Sequence, residues 1–200
     1  MGEIFKNRIF FVAFFLWNLI LGLFLLLFEK GDAVLFFNQF YDGYTEILFG
    51  YLTQFGEIYA GIIVGLILFV FKRKTNFWPF LVSIIANLLV IYLLKHKMFQ
   101  NYDRPFAMFG SQINYHPFIK INKQFSFPSG HTSAAFVFFT HMAIAFNKHR
   151  FSWFLFFIPA LVGISRVFLA QHFMIDVFFG AWVGFALTLF SYFGFYICRR

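Results

Sequence analysis

Apolar runs recur along the whole chain, each close to the ~20 residues that cross a bilayer as a helix, with short polar or basic stretches between them. The first covers about 9–28 behind Lys6 and Arg8. It is too long for a secretory signal core and no small-residue cleavage pattern follows it, so it predicts an uncleaved first span. From Glu29 to Gln54 the pattern mixes acids, aromatics and glycines (Asp32, Tyr41, Asp42, Tyr44, Glu46), which predicts a membrane-surface segment with an amphipathic helix. Further spans are predicted at about 55–71, 77–94, 128–146, 151–168 and 174–198. Lys72-Arg73-Lys74 closes the second span and Lys95-His96-Lys97 the third. Lys97 to Phe127 is the longest polar stretch, and Pro105 and Pro117 break any long helix there. With no internal repeat and no linker, the expectation is all-α: one domain over 1–200, a polytopic membrane protein with six transmembrane helices.

Composition agrees. The chain is 61% hydrophobic and 12% charged with 38 Phe, which excludes an ordinary soluble domain. The net charge of +8 raises the question of nucleic acid, but its placement answers it. With both termini inside, the inner segments hold Lys6, Arg8, Lys72, Arg73, Lys74, Lys148, Arg150, Arg199 and Arg200 against the single acid Glu3. The outer segments hold seven Lys/Arg and seven acids, so the positive-inside rule favours N-in and C-in. The lone Cys198 can form no internal disulfide, and beside Arg199-Arg200 it fits a plain helix-end thiol better than lipidation.

That topology brings three polar clusters to the outer face. The first, from Lys97 to Pro105, offers Lys97 and Arg104. Such residues also serve as snorkelling interfacial anchors. The second is Phe127-Pro128-Ser129-Gly130-His131 at the start of a span. Ser129 can cap the helix, Gly130 admits close approach of a ligand, and the free N–H groups favour an anion. An ordinary cap followed by an interfacial histidine has the same sequence. The third runs from Ser165 to Asp176. On a helix, His172 and Asp176 share a face, so the carboxylate would accept Nδ1–H and leave Nε2 as an aimed lone pair, with Arg166 a third cation upstream. A polar pair tying two helices together is the alternative. Taken jointly, three cations, a backbone anion nest and two histidines fit phosphoryl transfer without a metal. Three cations would repel a divalent ion, which disfavours a metal site.

The three clusters read K-x6-RP, PSGH and SR-x5-H-x3-D, and in order and spacing they resemble the signature motifs of the type 2 phosphatidic acid phosphatase (PAP2) superfamily. The resemblance covers the second half of the chain. It implies a PAP2-type helical core with the site at the outer leaflet, His172 as a nucleophile forming a phosphohistidine, Asp176 as its orienting carboxylate and His131 as general acid. It implies Lys97, Arg104, Ser129, Gly130 and Arg166 as phosphate-binding, with no cofactor and no metal. Ser165 and Pro128 are architectural, and Asp103 has no assigned role.

The resulting expectation is an integral membrane lipid phosphatase, in a bacterial inner membrane with the active site on the periplasmic or extracellular side. Candidate headgroups are undecaprenyl diphosphate, lipid A phosphate, phosphatidylglycerol phosphate and phosphatidic acid. The alternative is a lipid phosphotransferase using the same phosphohistidine. The partner expected is the membrane lipid phosphate alone, with no nucleic acid and no obligate protein. Asn87 and His141, deep in spans, are expected to bond between helices. Glu57 is expected at the interface, and Tyr102, His116, Lys120 and Lys123 in the outer loop are candidates for headgroup contact.

Overall fold

A computed structural model describes residues 7–114, 122–146 and 149–197, apart from the side chains at 72–74, 149–150 and 196. Cys198, Arg199, Arg200, His116, Pro117, Lys120 and Lys148 lie outside the described residues. The described residues are helical with connecting turns: α1 (Arg8–Leu27), α2 (Asp32–Asn38), α3 (Gly43–Leu52), α4 (Ile58–Leu93), α5 (Pro105–Phe109), α6 (Gly130–Phe146), α7 (His149–Phe168) and α8 (Met174–Ile197). A tight 3-10 turn, Thr53–Gly56, joins α3 to α4.

The first helix starts where Asn7 accepts the Phe10 N–H at 3.3 Å and donates to the Ala143 carbonyl at 3.1 Å, which pins its entry to the far end of α6. Phe10, Phe14 and Leu21 form its buried stripe, while Phe15, Leu16, Leu19 and Leu23 point outward. Similar rows of exposed large apolar side chains line α4 and α7. On a soluble protein such a belt would aggregate; in a bilayer it is the lipid-facing surface. The segment predicted at the surface forms α2 and α3, the latter opened by a capping box between Asp42 and Thr45.

Among the described residues, four helices are long and apolar enough to cross a membrane: Arg8–Leu27, Thr75–Met98, Phe151–Phe168 and Met174–Phe195. A fifth is added if Gly43–Gly56 and Ile58–Phe71, bent by 50°, count as one broken span. Separate spans at 55–71 and 77–94 are expected, whereas helical bonding runs unbroken through α4 for 36 residues. Straight, that helix would be about 54 Å long. Yet the residues flanking its two ends, Glu57 and Lys95, line one pocket, and the Phe69 and Phe77 rings meet at 5.2 Å. The run therefore folds back on itself between Phe69 and Phe77, giving two arms.

α6 is the central helix, packed against α4, α7 and α8 with most of its length buried. Its closest neighbour is α8. A methyl placed on Gly180 would stand 2.6 Å from the Ser129 carbonyl oxygen, and one on Gly184 would collide with that of Ser133. This small-xxx-small pair lets the two backbones touch. The phenylalanine excess fills the space around it: Phe14 stacks on Phe185 at 3.9 Å and meets Phe136 edge-on at 5.4 Å. The buried Asn87 and His141 bond between helices as expected, to Ser133 at 2.5 Å and Ser83 at 2.9 Å.

Candidate active site

The site is built at one end of the helix bundle, around the turn from α7 to α8. There α7 closes with a Schellman-type cap: Ala170 takes a left-handed φ of 52°, its N–H reaches the Val167 carbonyl at 3.0 Å, and the Gln171 N–H reaches that of Arg166 at 2.9 Å. The same Arg166 carbonyl takes the His172 N–H at 3.1 Å. Backbone bonding thus fixes His172 relative to Arg166 before any side chain is considered.

The pairing of His172 and Asp176 is formed, but not along a helix face. His172 precedes α8 and Asp176 lies in its first turn, so the contact of 3.3 Å spans the helix entry. A carboxylate only accepts, so Nδ1 carries the proton and donates to Asp176 Oδ2. That oxygen also takes the Phe173 N–H at 2.9 Å and the Ser126 hydroxyl at 2.5 Å. Both members are buried, at 2% and 1% exposure. Burial first, then the charges of Arg104, Lys95 and Arg166, hold the His172 imidazole well below the usual histidine range, which keeps it neutral and nucleophilic at pH 7.

The second cluster sits against this turn through the Ser129 N–H, which donates to the Asp176 carbonyl at 2.9 Å. Ser129, expected to bind phosphate, stands at the α6 N-terminus beside the pocket wall. Its hydroxyl is fully buried, accepts from Thr132 Oγ1 at 2.8 Å and from the Thr132 N–H at 3.4 Å, and caps α6 instead of facing the pocket. Gly130 and His131 do line the pocket, on the first turn of α6.

The first cluster follows α4. Lys97 is exposed and absent from the pocket wall; Lys95 lines it, with Nζ bonded to the Phe125 carbonyl at 2.7 Å. A single π turn, Leu94–Met98, carries both lysines. Arg104 lines the pocket as well, spreading its guanidinium over the Gln124, Phe125 and Gln171 carbonyls at 3.0, 3.4 and 3.1 Å.

The result is a cavity of about 390 Å³ whose wall carries the cations Lys95, Arg104 and Arg166, the two histidines and Gly130. Arg166, 6% exposed, is tied through Nη1 to the Thr53 hydroxyl at 2.8 Å. Glu57, expected merely at the interface, stands in the wall with its Oε1 2.5 Å from His131 Nε2. Thr53, Ser126 and Lys95 have no site role in the sequence reading. The one available signal was the acid Glu57 at a span end, since an ionisable group there is a functional candidate by default. Among the described residues, no three His, Cys, Asp or Glu side chains come together as a metal-binding group. Lys123 and Tyr102, candidates for headgroup contact, lie between α4 and α6 and outside the wall.

A family model described as the PAP2 superfamily matches residues 76–199, more than half of the chain and all three clusters. The chain belongs to the PAP2 superfamily. Among curated proteins none matches the sequence. Two solved structures resemble it. The crystal structure of Aquifex aeolicus LpxE has 26% identity and a TM-score of 0.71, covering 82% of this chain and 95% of that one. A transmembrane PAP2-type phosphatidylglycerolphosphate phosphatase from Bacillus subtilis has 20% identity and a TM-score of 0.62, covering 98% of each chain, a likeness of fold. This PAP2 protein is a membrane phosphatase.

Proposed function

We propose that this PAP2 protein is a single-domain lipid phosphatase with six membrane crossings, acting at the outer face of a bacterial inner membrane through a phosphohistidine on His172. The observation that carries the reading is a buried His172 whose Nδ1 is held by Asp176, in a cavity walled by Lys95, Arg104 and Arg166. Nε2 attacks phosphorus while the bond to the lipid oxygen, or to the bridging oxygen of a diphosphate, breaks. His131 gives that oxygen its proton. The three cations and the α6 amides at Gly130 and His131 spread the charge of the equatorial oxygens. Water then attacks the phosphohistidine, loses a proton to His131, and releases inorganic phosphate. The two arms of α4 with α1, α6, α7 and α8 supply the six crossings. The cationic wall makes the mechanism independent of metal, because a divalent ion would sit among like charges.

The test is phosphate release by purified protein in detergent with EDTA, across phosphatidic acid, phosphatidylglycerol phosphate, undecaprenyl diphosphate and lipid A phosphate. The expected result is turnover of one lipid class, abolished in His172→Ala while the thermal midpoint is kept. Turnover in His172→Ala close to wild type would remove the phosphohistidine, and dependence on added divalent ions would restore metal chemistry.

A further inference from the structure

The turn ahead of α4 lies outside the residues matched by the family model, yet it grips two site residues at once. At Gly56 an added methyl would stand 2.6 Å from the His131 carbonyl oxygen and 3.0 Å from His131 Cβ, so this turn rests directly on His131. Thr53 takes Arg166 Nη1 at 2.8 Å, and the Glu57 carboxylate meets His131 Nε2 at 2.5 Å. Glu57 is the one carboxylate in the described cavity wall; Asp176 is buried behind His172.

We propose that Glu57 is the positioning residue of His131, holding the ring by its Nε2–H so that Nδ1 is the nitrogen offered to the leaving oxygen. The inference rests on reading His131 as the proton donor. A donor must carry its proton before transfer, and a cationic imidazole here faces Lys95 and Arg104 from beyond α4, Arg166 from α7 and the neutral His172. Burial and then like charges disfavour that form, and the adjacent carboxylate favours it. Glu57 therefore does for His131 what Asp176 does for His172: it fixes which nitrogen faces the reaction. The proton count closes. His131 Nδ1 gives its proton to the departing lipid oxygen, keeps Nε2–H on Glu57, and regains a proton from the water that cleaves the phosphohistidine.

The experiment compares an alkyl phosphate, phosphatidic acid, with p-nitrophenyl phosphate, whose leaving group departs without protonation. Full-length wild type, Glu57→Gln, Glu57→Asp, His131→Ala and the Glu57→Gln/His131→Ala double variant are assayed in detergent. In Glu57→Gln, kcat on phosphatidic acid is expected to fall by about tenfold or more, within the range of a general-acid contribution, with KM nearly unchanged and with the initial burst of p-nitrophenol, which reads phosphoryl transfer to His172 before water attacks, falling far less. The double variant is expected to be no worse than His131→Ala, and Glu57→Asp to recover part of the loss. Equal losses in phosphatidic acid turnover and in the burst, or losses that multiply in the double variant, would make Glu57 a fastening of the turn only and overturn the proposal. If His131→Ala itself spares phosphatidic acid turnover as much as the burst, the donor reading fails and this inference with it. Should the Gln variant not fold, the Glu57→Asp substrate split decides alone: loss on phosphatidic acid that spares the burst supports the proposal, and an equal loss overturns it.

Discussion

Two lysines, Lys95 and Lys97, stand two residues apart in the π turn after α4, where neighbours at that spacing point to roughly opposite sides. They cannot both face the pocket. Counting back from Arg104-Pro105 selects Lys97, whereas the folded chain turns Lys95 to the wall and Lys97 outward. Lys95→Ala is therefore expected to lower kcat/KM by about 10²-fold, the scale of losing one stabilising donor in a transition state, and Lys97→Ala by less than a factor of about two, within the range of an exposed charge. Phosphate-release kinetics on the two variants check this, and the reverse ranking would restore Lys97 to the site. The difference shows what sequence can and cannot carry at this scale. His172 and Asp176, four residues apart, are legible because their partnership is local. The bonds of Arg166 to Thr53, His131 to Glu57 and Asp176 to Ser126 close over 113, 74 and 50 residues. No local pattern encodes such contacts; only the folded bundle brings them together.

At the level of helices, apolar run length is a good guide to α1, α7 and α8, whose bounds fall close to the expected spans. It is poorer at the reversal in α4, because helical bonding continues through a basic stretch expected to be a turn. The contact of α6 with α8 is the element-level feature on which the site depends most. It puts the Ser129 N–H on the Asp176 carbonyl, so any widening there loosens the carboxylate behind His172. Gly184→Val drives a side chain into the Ser133 carbonyl, an overpacking expected to cost about 1–3 kcal/mol. Thermal midpoint in detergent and phosphate release should fall together. Gly194→Val, on the same helix where nothing lies within 4 Å of an added methyl, is the control and should change neither. Loss of stability with activity intact would show that the site tolerates a wider α6–α8 contact.

For the whole molecule, the decisive asymmetry is between its two ends. Every cavity-wall residue lies at the end where α6 begins, and the entry of α1 lies at the other, where Asn7 meets Ala143. Arg8 opens α1 at that second end, and the positive-inside rule applied to the sequence expects that end in the cytoplasm. The cations at the site end do not contradict this, because Arg104 and Arg166 are committed to carbonyls and to Thr53. They are also accompanied by acids in equal number across the outer segments, seven against seven. The orientation can be read with single cysteines in a Cys198→Ser background. Asp103→Cys, exposed beside Arg104, should react with a membrane-impermeant maleimide on intact cells. Thr75→Cys, exposed near the reversal of α4, should react only after permeabilisation. Labelling of Thr75→Cys alone on intact cells would invert the protein and put phosphate release in the cytoplasm. Labelling at Asp103 alone means that a lipid substrate must reach the site from the outer leaflet.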